Sequence, residues 1–262
     1  MVSVVKVDTF TDYLERKVSE GTTKLYVHVI KLWFEWLQIH GGEPTQDTAQ
    51  EYLDQLHQLH RAPNTIAVRA NAIKKWFKWK GEKIELESPK IRIGEPKYIT
   101  MDDLHKVLVQ CETPLQEVLV VALFDTGCRI SELLGVKMGD MDWEHGMVRM
   151  RRKGGRTETV NISDRGLDAL RKWIQTRMVN SERMFMDLEY QDVLRIVKRV
   201  GDRAGVKLTP HVLRHSRAVQ MLDAGADIHT VQGVLGHTSI NTTMDVYARL
   251  RPVDLKKKIP SW

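Results

Sequence analysis

The chain has 262 residues, 42% hydrophobic and 28% charged, with 40 Lys and Arg against 34 Asp and Glu for a formal charge of +6. That composition excludes a disordered or collagen-like chain. Two cysteines, Cys111 and Cys128, with no CxxC spacing, exclude a small disulfide framework or a cysteine zinc site. No run reaches the ~18 apolar residues that cross a bilayer, and Lys6 and Asp8 interrupt any signal-peptide core, so the expectation is a soluble, cytoplasmic protein of one or two domains.

In chain order, a short helix is expected over about Val7 to Val18. From Thr22 to Gln38, Leu25, Tyr26, Val29, Ile30, Trp33, Phe34 and Leu37 recur at helical spacing until Gly41-Gly42 stops them. Thr45 or Asp47 opens a helix carrying Tyr52, Leu53, Leu56 and Leu59 that closes near Pro63, and another runs from Asn64 to Trp79. These four helices form a domain over residues 1–90. Residues 82–98 change character, with Pro89, Gly94 and Pro96 breaking the period, so a linker is expected, its boundary within 91–97.

Beyond it, Thr100 caps a helix to Gln110, a second runs from Thr113 to Thr126, and a third, short one from Arg129 to Val136. The period then switches: Met147 to Met150 and Thr157 to Ile162 read as strands of a hairpin around Arg152-Lys153-Gly154-Gly155-Arg156. Helices resume over Asp164 to Met178, Gln191 to Ala204, and from Thr209-Pro210 to Ala224-Gly225. Asp227 and Ser239 read as caps of two more. The fold class is mainly α with a small β-sheet, the second domain covering 98–262.

Charge is distributed unevenly. Residues 1–92 hold 14 Lys and Arg against 12 Asp and Glu, and the remainder 26 against 22. Four arginines lie in the first part and sixteen in the second. The planar guanidinium fork suits phosphate, which directs attention to the second domain.

Four stretches there carry possible chemistry. In Thr209-PHVLRHS, His211 and Arg214 share a helix face and can present a proton-transfer group and a cation to one anion. In Leu235-Gly236-His237-Thr238-Ser239, His237 sits at the mouth of a helix that carries Tyr247 about two turns on. In Thr126-Gly127-Cys128-Arg129-Ile130-Ser131-Glu132, an arginine opens a helix against the macrodipole with Glu132 one turn later, while Cys128 reads as packed and inert. Lys153 stands at the hairpin turn, where two glycines let the backbone approach a ligand.

Taken in order, TGCRISELLGV, RKGGR, HVLRHS, LGHTS and TTMDVY resemble the successive boxes of the tyrosine recombinase (phage-integrase/Xer) family, over about Lys97 to Arg251. The helical N-terminal domain looks like that family's SAM-like core-binding domain. The resemblance implies site-specific DNA breakage and rejoining, with Tyr247 attacking a phosphodiester to give a 3′-phosphotyrosyl link and a free 5′-hydroxyl. It further implies that Arg129 and Arg214 clamp the non-bridging oxygens, Lys153 protonates the leaving oxygen, His211 assists proton removal from Tyr247 and His237 bonds a phosphate oxygen. Glu132 would orient the pocket. A free phenol titrates at about 10, so the nucleophile needs such help.

No cofactor or metal is implied, and the sequence carries neither a GxxxxGK[ST] loop nor an acidic cluster of the two-metal kind. The pair His57 and His60 reads as ordinary helix surface. Trp33, Trp36, Trp76 and Trp79 read as bundle core or interface, with Lys74, Lys75, Lys78 and Lys80 beside them suited to phosphate contacts. Arg217 stands where relatives often carry an aromatic residue, and Ala248-Arg249 replaces a frequent histidine. The implied partner is double-stranded DNA carrying specific sites, bound by a homotetramer, with residues 252–262 docking into a neighbouring subunit. The length of the N-terminal part suggests a simple recombinase without an extra arm-binding domain. The alternatives are a type IB topoisomerase, against which stand His211 and the LGHTS box, a transposase of the same family, or a non-catalytic DNA-binding protein.

Overall fold

The structure is a computed structural model that describes residues 4–89, 97–152, 155–177, 181–186 and 188–236. It divides into two units, Met1–Ile93 and Gly94–Trp262.

In the first unit, helices α1 (Val4–Glu15), α2 (Glu20–His40), α3 (Gln46–Gln58) and α4 (Pro63–Trp79) pack as a bundle. Ser19 and Thr45 accept backbone N–H bonds at the starts of α2 and α3, and Gly41 ends α2 in the left-handed region at φ 73°. The expected α1 begins and ends about three residues earlier, because the chain must turn after Glu15 for Ser19 to cap α2. Trp33 and Trp76 are fully buried at the centre, edge to face with centroids 5.5 Å apart. Trp36 and Trp79 are half-buried around the same cluster.

Residues 82–89, expected as the start of a linker, instead lie extended along the bundle. Gln46 and Gln50 side chains accept from the N–H groups of Glu85 and Glu87 at 3.1 and 2.8 Å, and Leu86 is buried. Side-chain amides thus take the place of a sheet partner, a device that Pro and charge patterning does not reveal.

The second unit is arranged around α6 (Pro114–Thr126), whose residues Val118 through Thr126 are all buried. An apolar surface on every side makes it a central helix, and α8 (Asp164–Thr176), α9 (Tyr190–Arg203) and α10 (Pro210–Asp223) pack against it. The described residues also form helices α5 (Met101–Val109), α7 (Ile130–Leu134) and α11 (Ile228–Leu235) and a 3-10 turn over Met138–Asp140. Asp125, buried at the end of α6, accepts from the Ser163 N–H and hydroxyl at 3.0 and 2.5 Å and so fixes the start of α8.

The sheet has order β1-β2-β3, with β1 Met141–Asp142, β2 Met147–Arg151 and β3 Thr157–Asn161, all antiparallel. The hairpin register pairs Arg151 with Thr157 and Val148 with Val160. The two-residue β1 is too short to leave a period in the sequence. Helix α8 stops at Thr176, before the expected Met178, where Arg177 turns away and its guanidinium donates to the carbonyls of Ser181 and Arg183 at 3.1 and 3.0 Å.

Candidate active site

Among the described residues, the site is assembled from three chain segments. The first is the corner between α6 and α7. Gly127 ends α6 at φ 55°, donating its N–H to the Phe124 carbonyl, and a Cβ there would meet Leu235 Cδ2 at 2.5 Å. Cys128 follows, buried, and burial pushes its thiol up to about 11, so it is an inert packed thiol as the sequence suggests. Arg129 then caps α7. Its side chain is 32% exposed and reaches Glu132 Oε1 from Nη1 at 2.7 Å, while its backbone N–H donates to Glu132 Oε2 at 3.0 Å. The buried carboxylate explains why an arginine is tolerated at a helix start.

The second segment is the base of the hairpin. Strand alternation turns Val148 and Met150 inward and Arg149 and Arg151 outward. Continuing that alternation past β2, Arg152 points inward with 2% of its side chain exposed. Its Nη1 donates to Glu132 Oε2 at 2.8 Å, its Nε to Glu158 Oε2 at 3.0 Å and its Nη2 to the Val234 carbonyl at 2.6 Å. Burial alone would raise the Glu132 carboxyl, but the hydrogen bonds from Arg129 and Arg152 outweigh it and hold the group below the ordinary value of 4.5.

The third segment is α10, opened by Thr209, whose hydroxyl accepts from Val212 N–H, with Pro210 at the first helical position. The Ser216 hydroxyl accepts from Ile99 N–H at 2.9 Å, tying the start of this unit to α10. Arg214 is buried at 5% exposure, and its Nη1 donates to the Gly127 carbonyl at 2.5 Å. Its Nη2 is buried with no hydrogen-bond partner among the described residues. Burial and then the Arg129 charge bring its pKa down to about 10, which leaves it a full cation at neutral pH. One turn earlier, His211 reaches the surface. Partial desolvation, with the charges of Arg214 and Arg129 adding to it, lowers its pKa, so it stands neutral and able to take a proton.

The structure therefore brings Arg129, Glu132, His211 and Arg214 to one place, at the corner where α6, α7 and α10 meet. Lys153, His237 and Tyr247, together with the Ser239 cap and the tail, lie outside the described residues; Lys153 follows Arg152 in the chain, and His237 follows Gly236. Sequence reasoning missed Arg152 and Glu158. The signal was present in the strand alternation, which assigns Arg152 to the inner face, but the sequence places Arg152 in the hairpin turn beside two glycines. Arg217 lays its guanidinium 5.9 Å from the Phe124 ring centre, a cation–π arrangement, and donates to Gln220.

The four lysines of the first unit differ in their engagements. Lys74 donates to the Leu86 carbonyl at 3.0 Å, Lys75 lies 5.9 Å from the Tyr13 ring centre, and Lys80 is shared between Glu82 and the Trp76 ring. Lys78 is exposed, and makes no ion pair among the described residues. Also among the described residues, no group of three or more His, Cys, Asp or Glu could hold a metal ion, and no helix is long and apolar enough to cross a membrane.

Residues 97–253 match the phage integrase family and residues 7–83 its N-terminal SAM-like domain. Tyrosine recombinase XerA of Pyrococcus furiosus is 32% identical over 96% of this chain and 92% of its own length, and the XerA of Pyrococcus horikoshii is 30% identical over 96% and 91%. Among solved structures, the XerH site-specific recombinase in a post-cleavage complex with a palindromic difH substrate has a TM-score of 0.72 at 20% identity, covering 90% of this chain and 78% of that one.

Proposed function

Since the chain belongs to the phage integrase family and is a tyrosine recombinase that cleaves and rejoins DNA, we propose that it carries out site-specific recombination through Tyr247, by the following division of labour. The Tyr247 phenol attacks the scissile phosphorus and gives up its proton, with help from His211. The 5′-oxygen leaves with a proton from Lys153. A 3′-phosphotyrosyl ester remains, and a 5′-hydroxyl, from the same strand or its partner, reverses the step. The ester conserves the energy of the phosphodiester, so rejoining needs no ATP. Arg129 and Arg214 hold the non-bridging oxygens, and His237 donates to one of them.

The observation that carries this reading is Arg214: a buried cation with one donor spent on Gly127 and another left unpartnered among the described residues. Burying an unmatched donor costs about 1–3 kcal/mol, which an incoming anion recovers. In the surrounding cluster, Arg129 and Arg152 are balanced by Glu132 and Glu158, so Arg214 is the excess charge, matched to one phosphodiester. Donors prearranged this way around developing oxyanion charge are worth about 3–4 kcal/mol each in related chemistry. A neutral His211 fits its part as proton acceptor.

The names of the relatives, and the recombinase–DNA complex among the solved structures, support double-stranded DNA with specific sites as the substrate. The working assembly is a homotetramer on two duplexes. The chain divides as a core-binding domain over 1–90, a linker over 91–97 and a catalytic domain with its tail over 98–262. Lys78 of the first unit, exposed on α4, is the strongest of its four lysines as a phosphate contact.

The test is a nicked suicide substrate incubated in EDTA with wild type and with Tyr247→Phe. Denaturing gels should show protein trapped on a 3′ DNA end with wild type alone. Tight DNA binding with no adduct on any of a broad library of sites would move the reading to a non-catalytic binder.

A further inference from the structure

We propose that Arg152 is a positioning residue that sets the catalytic lysine, Lys153, by clamping the hairpin to α7 and to the end of α11. The proposal rests on the roles assigned above to Lys153 and Tyr247. Three observations carry it.

First, the Arg152 guanidinium spends its three nitrogens on three different segments. Nη1 goes to Glu132 on α7, Nε to Glu158 on β3 and Nη2 to the Val234 carbonyl in the last turn of α11. Glu132 in turn holds Arg129, and Val234 lies three residues before His237. One side chain therefore ties together the parts of the chain that bear Arg129, Lys153 and His237. Second, the backbone of the same residue closes the hairpin loop. The Arg152 N–H donates to the Arg156 carbonyl at 2.7 Å, and Gly155 N–H donates to the Arg152 carbonyl at 3.1 Å, on either side of residues 153 and 154. Third, the fit is tight where α11 ends. Gly236 sits at φ 62°, and a Cβ there would lie 3.0 Å from Arg152 Cδ and Nε. Arginine suits this duty because its planar fork is rigid and stays charged when buried, whereas lysine at this position offers one nitrogen and can serve only part of the set.

A general acid adjoining such a clamp acts only if its ammonium meets the leaving oxygen at hydrogen-bond distance, and a misplacement of about 1 Å costs on the order of 100-fold in rate. The experiment compares single-turnover cleavage by wild type, Arg152→Met, Arg152→Lys and Lys153→Ala on two substrates. One has the normal 5′-bridging oxygen at the scissile phosphate. The other has sulfur there, whose thiolate departs without a proton.

For both Arg152 variants, cleavage of the oxygen substrate is expected to fall about 100-fold, with DNA affinity held and most of the lost rate recovered on the sulfur substrate, as for Lys153→Ala. Equal loss on both substrates would mean that Arg152 only supports the fold, and no loss on the oxygen substrate would mean that it positions nothing; either overturns the proposal. If circular dichroism shows that neither Arg152 variant folds, Glu158→Gln decides by the same two-substrate comparison, since it removes the half-exposed partner and leaves the buried pair intact. Failure of the underlying site reading looks different: wild type would cleave neither substrate, or Tyr247→Phe would cleave both.

Discussion

Arg214 and His211 lie one helical turn apart and show how environment sets the task of each group. Arg214 is buried and remains charged, because a guanidinium that titrates near 10 is still protonated at neutral pH. His211, nearer the surface, is only partly desolvated and faces the charges of Arg214 and Arg129, and for an imidazole starting at 6.5 those influences favour the neutral base. The sign fixes a prediction. A base must be unprotonated to act and its pKa is depressed, so activity persists below the ordinary imidazole range and is lost only as pH falls through the lowered value. The acid limb of kcat/KM for cleavage should therefore fall below pH 6.5 and vanish from the profile of His211→Asn. A limb above 6.5 would mean that His211 is held charged in the free protein. Glu132 follows the opposite rule for an acid: its depressed pKa contributes stability above its unfolded value, and that contribution is lost as pH drops through the native one.

At the scale of elements, the corner between α6 and α7 bears the closest tolerance in the site. Gly127 is needed on two counts, a left-handed backbone and contact with Leu235 of α11. Gly127→Ala should cost about 1–2 kcal/mol from the backbone alone, with more for displacing Leu235, and should slow cleavage because the Gly127 carbonyl anchors Arg214. Urea denaturation with single-turnover rates checks this, and a change under about 0.5 kcal/mol would show that the corner relaxes freely. The hairpin teaches a related lesson. Arg152, which the sequence places in the hairpin turn, continues the inward face of Val148 and Met150. A period-two rule gives direction, but only the facing Glu132 and Glu158 make burial of a charge affordable.

Across the whole molecule, each unit has its own core, one of crossed aromatic side chains around Trp33 and Trp76, the other wrapped about α6. The first is the part assigned to gripping DNA and the second to chemistry, so binding and cleavage should separate under mutation. Deleting residues 252–262 tests this at the level of assembly: DNA binding, measured by gel shift, should survive, while synapsis and recombination should be impaired. Unchanged recombination by the truncated protein would remove the tail from the proposed tetramer.

The sequence by itself determined the helices of the described residues, the hairpin, the family and four of the residues that the structure gathers at the site, Arg129, Glu132, His211 and Arg214. Those features are local: apolar spacing, caps such as Thr209 before Pro210, and motifs whose order survives in one dimension. Tertiary structure alone decided the rest. Residues 82–89 join the bundle because Gln46 and Gln50 supply hydrogen-bond partners from 39 and 37 residues away in the chain. Arg152 becomes a central tie because carboxylates from α7 and β3 and a carbonyl from α11 converge on it. Lys74 donates to the Leu86 carbonyl, a partner that its place in the sequence does not reveal. In each case the deciding term is the satisfaction of a polar group by a partner distant in sequence, a three-dimensional quantity that no residue's own identity encodes.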